Sequence, residues 1–170
     1  MSVISGCIFR KPRLEDGGAL YQLIQDCPPL DVNSSYLYFI LCDHFRHSSV
    51  VVECDEKIVG CITGYRRPDK PDTLFVWQVA VHEKMRGQKL AGQMLNELLF
   101  RDKPSGISWI ETTVSPSNIP SRKLFERWAA DQDVPITSVP YLTADDFPAS
   151  PNSDSHEAED LFRIGPLSLP

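Results

Sequence analysis

Residues 77–100 read WQVAVHEKMRGQKLAGQMLNELLF. Trp77 to Val81 is an apolar, strand-like run. A short basic turn follows, Lys84-Met85-Arg86-Gly87-Gln88-Lys89. Beyond it Leu90, Met94, Leu95, Leu98 and Leu99 recur with a helical period, which predicts a helix from Leu90 to Arg101. Strand, polar turn and helix aim a row of free backbone N–H groups at one point. A helix N-terminus also carries partial positive charge. The turn is therefore a candidate anion site, and a phosphate-bearing ligand suits it.

Outward from this stretch the elements alternate. Ile4 to Arg10 reads as a strand, and Leu14-Glu15-Asp16 leads into a helix through Cys27 with Leu20, Leu23 and Ile24 on one face. Pro28-Pro29 stops it. Ser34 or Ser35 caps a second helix, Tyr36 to Phe45. Val50–Cys54 and Ile58–Tyr65 form a hairpin about the turn Asp55-Glu56-Lys57. Arg66 to Asp72 reads as a polar loop, and Thr73–Val81 and Trp109–Val114 as strands. Ser117 or Asn118 caps a helix reaching Trp128 or Ala129, with Pro120 in its first turn. Val134 to Val139 reads as a strand, 140–155 as loop, and Glu157 to Ile164 as a strand or a helix. The order β-α-α-β-β-β-α-β-α-β-β predicts one α/β domain over 1–170. Its sheet is mixed, mostly antiparallel, of six to seven strands, with helices on both faces.

The chain has 170 residues, 42% of them hydrophobic, and a net charge of −6. No apolar run is long enough to cross a membrane. The N-terminus lacks a signal-peptide layout, which predicts a cytoplasmic protein. Between Ala129 and Phe162 there is no Lys or Arg, while Asp131, Asp133, Asp145, Asp146, Asp154, Glu157, Glu159 and Asp160 crowd there. With those acids set aside, the 17 Lys and Arg outnumber the rest. The asymmetry argues against nucleic acid as a partner. It suits a basic site for a phosphorylated ligand and an acidic site for a cation. The five cysteines (Cys7, Cys27, Cys42, Cys54, Cys61) are odd in number and lack a C-x-x-C pair, so they read as buried free thiols. No metal is called for. Asn33-Ser34-Ser35 matches a glycosylation sequon by chance.

This order of elements, with Arg86-Gly87-Gln88-Lys89-Leu90-Ala91 at its centre, resembles the GNAT superfamily of N-acetyltransferases. The superfamily signature Q/R-x-x-G-x-G/A is met at Arg86 and Ala91, whereas Lys89 stands where it has Gly. The block CPPLDVNSSYLYFILCDHF (27–45), the Trp heading WQVAV, and HEAEDLFRI (156–164) resemble the L-2,4-diaminobutyrate acetyltransferases of ectoine biosynthesis over nearly the whole chain.

The resemblance implies acetyl-CoA as co-substrate and direct transfer to an amine in a ternary complex. It implies that backbone groups of Val79 and Val81 meet the pantetheine arm and the thioester carbonyl. Amides of Arg86, Gly87, Gln88, Lys89, Leu90 and Ala91 then hold the pyrophosphate. Asn118 matches an Asn near the pantetheine; a helix cap is its other reading. The superfamily's thiolate-protonating Tyr is Phe125 here, so that proton comes from water or another residue. Arg122 and Lys123 either approach the nucleotide phosphates or are surface cations. A diamino-acid substrate calls for acidic partners, for which Asp31, Glu157 and Glu159 are candidates. Glu159 is the preferred base or proton relay, with His156 and Glu157 as rivals. Trp77 either walls the amine pocket or packs in the core. Tyr36 offers a hydroxyl or is a helix-face aromatic. Asn33, with Ser34 and Ser35, is placed to meet a carboxylate. The resemblance also implies a homodimer. The competing functions are acetylation of another diamine, a polyamine or an aminoglycoside, or acyl-CoA sensing without catalysis.

Overall fold

The computed structural model describes residues 6–101, 106–148 and 156–167. In chain order the elements are β1 (Cys7–Arg10), α1 (Gly17–Gln25), α2 (Ser35–Asp43), β2 (Val50–Cys54), β3 (Lys57–Arg67), β4 (Lys70–Val81), α3 (Leu90–Phe100), β5 (Trp109–Val114), α4 (Ile119–Asp131), β6 (Ile136–Leu142) and β7 (Glu159–Ile164). Seven strands form one sheet in the order β1-β2-β3-β4-β5-β7-β6. Only β4 and β5 pair in parallel; the other neighbours are antiparallel.

Each helix follows its apolar spacing. Leu20, Leu23 and Ile24 of α1 and Tyr38, Leu41 and Cys42 of α2 are buried with Val51, Cys61 and Ala80 on one face of the sheet. Leu90, Met94, Leu95, Leu98 and Leu99 of α3 and Phe125, Trp128 and Ala129 of α4 are buried on the other, against Ile62, Leu74 and Phe162. Leu95 is fully buried, so truncation to Ala would cost about 2–5 kcal/mol. The two helices α1 and α2 approach closely because residue 17 is Gly: a Cβ there would lie 2.6 Å from the Phe39 ring.

Three readings need correction. The polar stretch 66–72 is a continuation of β3 and β4 around a turn at Pro68-Asp69. It is charged because Arg67 and Lys70 pair with the buried Glu111 of β5, and Asp69 with Arg67, at an end of the hairpin that also meets solvent. Pro140, Tyr141 and Leu142 extend β6 rather than loop; β6 is an edge strand, where a Pro costs no ladder bond. Cys7 and Cys54 are not free thiols. They stand opposite each other on β1 and β2, with Cα atoms 4.3 Å apart, and form a disulfide. Cys27, Cys42 and Cys61 are free and buried, as read. Asp154 lies outside the described residues.

Candidate active site

The central feature is a fork. β4 and β5 pair at Thr73–Trp109, Leu74–Ile110 and Phe75–Glu111, and no further. Beyond Val76 the register of β4 against β3 shifts: Val76 faces Gly64 but Gln78 faces Thr63, so that Trp77 is the extra residue. A bulge of this kind bends and twists a strand, and here β4 leaves β5 where it occurs. Past the bulge the ladder with β3 is regular. His82 N–H donates to the Val59 carbonyl of β3 at 2.9 Å. Successive peptide groups of a strand point to opposite sides. The N–H and C=O of Val79 therefore point away from β3, into the fork, and those of Val81 also turn from β3, its carbonyl accepting from Arg86 Nε at 3.2 Å and from Cys27 Sγ at 3.5 Å.

The vertex is closed by charge. Glu111, whose side chain is 1% exposed, accepts from Arg67 Nη1 at 2.6 Å, with Lys70 Nζ at 3.6 Å and Arg163 Nε at 3.5 Å. Arg163 in turn lies over the Trp109 ring, 3.8 Å from its centroid. A carboxylate this deeply buried needs such partners, because an unpaired charge there would cost several kcal/mol.

The fork opens into a cleft of about 890 Å³. Trp77, Gln78 and Val79 of β4 line one wall, and Thr112 to Ser115 of β5 and Asn118, Ser121 and Phe125 of α4 line the other. Asp31 enters from the α1–α2 loop, and His156, Glu157 and Glu159 from the start of β7. Trp77 is 44% exposed and meets Tyr65 edge-on at 6.4 Å, so it is a wall of the cleft and not a core residue.

Strand β7 begins only at Glu159, so residues 156–158 escape the alternation of a strand, and His156, Glu157 and Glu159 all reach the cleft. Their settings differ. Glu157 accepts from Ser117 N–H at 3.0 Å and from the Ser117 hydroxyl. His156 stacks on Phe147, centroids 4.5 Å apart. Glu159 is partly buried, and burial raises its carboxyl above the usual range. A hydrogen bond from Thr113 opposes the rise, while the nearby charges of Asp31 and Glu157 add to it and His156 subtracts. Three carboxylates thus converge on one spot.

The turn after β4 has the form its sequence implied. Gly87 has φ 79°, and Lys89, the residue before α3, sits in the left-handed region at φ 57°, ψ 23°. The signature's Gly at this place answers that conformation, which costs a side-chain-bearing residue about 1–2 kcal/mol. The first bond of α3 runs from Gln93 N–H to the Lys89 carbonyl. The N–H groups before Gln93 have no helical partner. Arg86, Gly87, Gln88 and Lys89 are exposed, Leu90 is buried, and Ala91 is half-buried. Asn118 is the helix cap of α4, accepting from Ser121 N–H at 3.2 Å, and it also lines the cleft. Arg122 is paired with Asp160 at 3.0 Å, and Lys123 is exposed.

Two expected substrate contacts lie elsewhere. Tyr36 is 71% exposed on α2, outside the cleft lining. Asn33 is also outside that lining, and its N–H donates to Tyr38 Oη at 3.3 Å. The residues overlooked are Tyr38 and Gln78. Tyr38 Oη donates to Gln78 Oε1 at 3.3 Å, and Gln78 Nε2 donates to the Asp31 carbonyl at 2.8 Å. The chain Asn33–Tyr38–Gln78–Asp31 ties the α1–α2 loop to β4. The signal was present: Tyr38 shares the helical face of Leu41 and Cys42, whereas Tyr36 does not. Among the described residues no His, Cys, Asp and Glu cluster could hold a metal ion, and no helix is long and apolar enough to cross a membrane.

A forked β4–β5 pair, a left-handed basic turn and a carboxylate-lined cleft define an acyl-transfer scaffold, and residues 18–130 match the acetyltransferase (GNAT) family, to which this chain belongs. Within it, the chain is 44% identical over 156 residues to the L-2,4-diaminobutyric acid acetyltransferase of Virgibacillus pantothenticus, covering 92% of this chain and 96% of that protein. It is 45% identical over 161 residues to the enzyme of the same name from Oceanobacillus iheyensis, covering 94% and 88%. The structure of diaminobutyrate acetyltransferase EctA from Paenibacillus lautus, in complex with L-2,4-diaminobutyric acid and coenzyme A, superposes with a TM-score of 0.87 at 41% identity, covering 94% of this chain and 95% of that one.

Proposed function

We propose that this protein transfers the acetyl group of acetyl-CoA to the γ-amine of L-2,4-diaminobutyrate. The product is N4-acetyl-L-2,4-diaminobutyrate. The observation that carries the proposal is the fork itself: the backbone of Val79, turned away from β3, faces one cleft with Glu159, Asp31 and Glu157. One side suits an amide-bearing thioester arm and the other a cationic amine.

The amine must lose a proton before it attacks. Glu159 accepts that proton, directly or through a water; its raised carboxyl makes it a stronger base than a solvated carboxylate. Asp31 and Glu157 hold positive charge close by, and Trp77 walls the amine with its π face. The Val79 N–H donates to the thioester oxygen as charge develops there, a contact of a kind worth about 3–4 kcal/mol. Amides of Arg86 to Ala91, with the Arg86 and Lys89 charges, hold the pyrophosphate at the start of α3. Phe125 has no proton to offer, so the thiolate takes one from water or a cleft hydroxyl such as Ser121. Holding both substrates in one cleft supplies up to about 7–11 kcal/mol in favourable cases. We place the protein in the cytoplasm, acting as a homodimer in ectoine synthesis, on its likeness to the diaminobutyrate enzymes; light scattering on the purified protein checks the dimer.

The test is a panel of amines with acetyl-CoA, followed by thiol release and mass spectrometry of the product. Rapid release with L-2,4-diaminobutyrate and acetylation at N4 is expected. Preference for a polyamine or aminoglycoside would overturn the substrate, and coenzyme binding without release for any amine would indicate a sensor.

A further inference from the structure

The acidic residues account for the amines of a diamino acid but leave its carboxylate without a partner. Four carboxylates line the cleft, from Asp31, Asp69, Glu157 and Glu159, and each repels a further anion. Among the described lining residues Arg67 is the only Lys or Arg. We infer that Arg67 and Asp69 together recognise the α-amino acid head of the substrate, Arg67 its carboxylate and Asp69 its α-ammonium. This rests on the diaminobutyrate function proposed above.

Position comes first. Tyr65 and Arg67, two residues apart on β3, both line the cleft together with Phe75 and Trp77 of β4, so the four share its open face. Tyr65 touches Phe75 at 5.3 Å and Trp77 at 6.4 Å between centroids. Arg67 therefore continues the aromatic wall by one alternation, roughly 6–7 Å beyond Tyr65. A substrate with its γ-amine at Glu159 has its head to place, and this wall leads to the cation.

Charge comes second. Glu111 and Asp69 are two anions, whereas Arg67, Lys70 and Arg163 around them are three cations. The cluster holds a surplus positive charge that one more carboxylate would neutralise. Arg67 is also held in place before any ligand arrives. Nη1 donates to buried Glu111 at 2.6 Å, and Nε and Nη2 donate to Asp69 at 3.0 and 2.7 Å. A guanidinium has five N–H groups, and these three bonds leave two for a ligand. Asp69 is 61% exposed at its side chain, so its remaining lone pairs stay open to an ammonium. A fixed cation beside a fixed anion matches a head whose ammonium and carboxylate share one carbon.

The experiment compares three substrates. L-2,4-Diaminobutyrate carries the whole head, 1,3-diaminopropane lacks the carboxylate, and 4-aminobutyrate lacks the α-ammonium. kcat/KM is measured for wild type, Arg67→Gln and Asp69→Asn; where an analogue turns over too slowly, its inhibition constant replaces it. Arg67→Gln should weaken diaminobutyrate about tenfold or more, the scale of a charged hydrogen bond, and leave 1,3-diaminopropane within about twofold. Asp69→Asn should weaken diaminobutyrate and leave 4-aminobutyrate unchanged. Equal losses for a substrate and its truncated analogue, or no loss at all, overturn the assignment. Asp69 is on the surface, so its variant decides the matter if Arg67→Gln does not fold. No wild-type thiol release with diaminobutyrate would instead sink the underlying function.

Discussion

Ser117 grips Glu157 with both its backbone N–H and its hydroxyl, whereas Glu159, two residues on, meets a side-chain hydrogen bond from Thr113 on β5. The grip ties the start of β7 to the start of α4. It also engages both carboxylate oxygens of Glu157. Glu159→Gln should cut kcat by about 10²–10⁴-fold and leave coenzyme A affinity nearly unchanged. Glu157→Gln, which keeps an acceptor for Ser117, should cost far less turnover. Steady-state rates with separate coenzyme titration decide it; near-wild-type turnover in Glu159→Gln would refute the assignment.

The raised carboxyl of Glu159 has a pH signature. Burial disfavours its charged form, so the acid limb of kcat/KM should lie above the ordinary glutamate range, with activity rising as Glu159 deprotonates. Stability runs the other way. A carboxyl whose folded value is raised contributes stability that is present below its unfolded pKa and lost as pH rises through the folded value. Glu159→Gln should accordingly be more thermostable than wild type at pH 7, and this gain should shrink at acid pH. Thermal melts at two pH values test both signs.

Tyr38 acts on the substrate only through Gln78 and the α1–α2 loop. Tyr38→Phe removes the bonds to Gln78 and to Asn33 N–H, at a cost of about 1 kcal/mol each. The expected kinetic result is a higher KM for the amine with the KM for acetyl-CoA unaffected. A parallel rise in both would mean general destabilisation instead.

Lys89 holds a left-handed conformation that Gly adopts without cost. Lys89→Gly should stabilise the fold by up to about 1 kcal/mol, and coenzyme A should bind more weakly for want of one charge. A denaturation curve and a coenzyme titration on the same variant separate the two effects.

The cysteines give a count. Denatured without reductant, the oxidised protein should show three thiols, and after reduction five. In the native state Cys42 and Cys61 should resist thiol reagents, because burial pushes both up to about 12. Five thiols without reduction would remove the Cys7–Cys54 bond, as a reducing compartment would.

Helix faces and the basic turn were legible because they depend on local spacing: every residue expected on the inner face of α3 is buried. The hairpin at Pro68-Asp69 was not, since its charged residues serve contacts with Glu111, 44 positions away in the chain from Arg67. Nor was the Cys7–Cys54 pair, which depends on strand register. In the candidate site, the residues from the turn and from β7 are readable as types, whereas Tyr38 is legible only from its place on the face of Leu41 and Cys42, and Tyr36 lies on α2 as an exposed helix-face aromatic. Gln78 looked like part of an apolar strand, and its role depends on a loop that folds back over it.

An unpaired strand edge ordinarily invites another polypeptide to add to the sheet. Here the edge of β4 beyond Phe75 lies recessed between β4 and β5 rather than at the rim of the molecule. A whole β-strand with its side chains would have to force the fork apart, whereas a slender unbranched chain carrying amide groups can slide in. The fold thus keeps its stickiest backbone out of reach of neighbouring proteins by geometry alone, so a sheet left open for chemistry need not be a nucleus for aggregation.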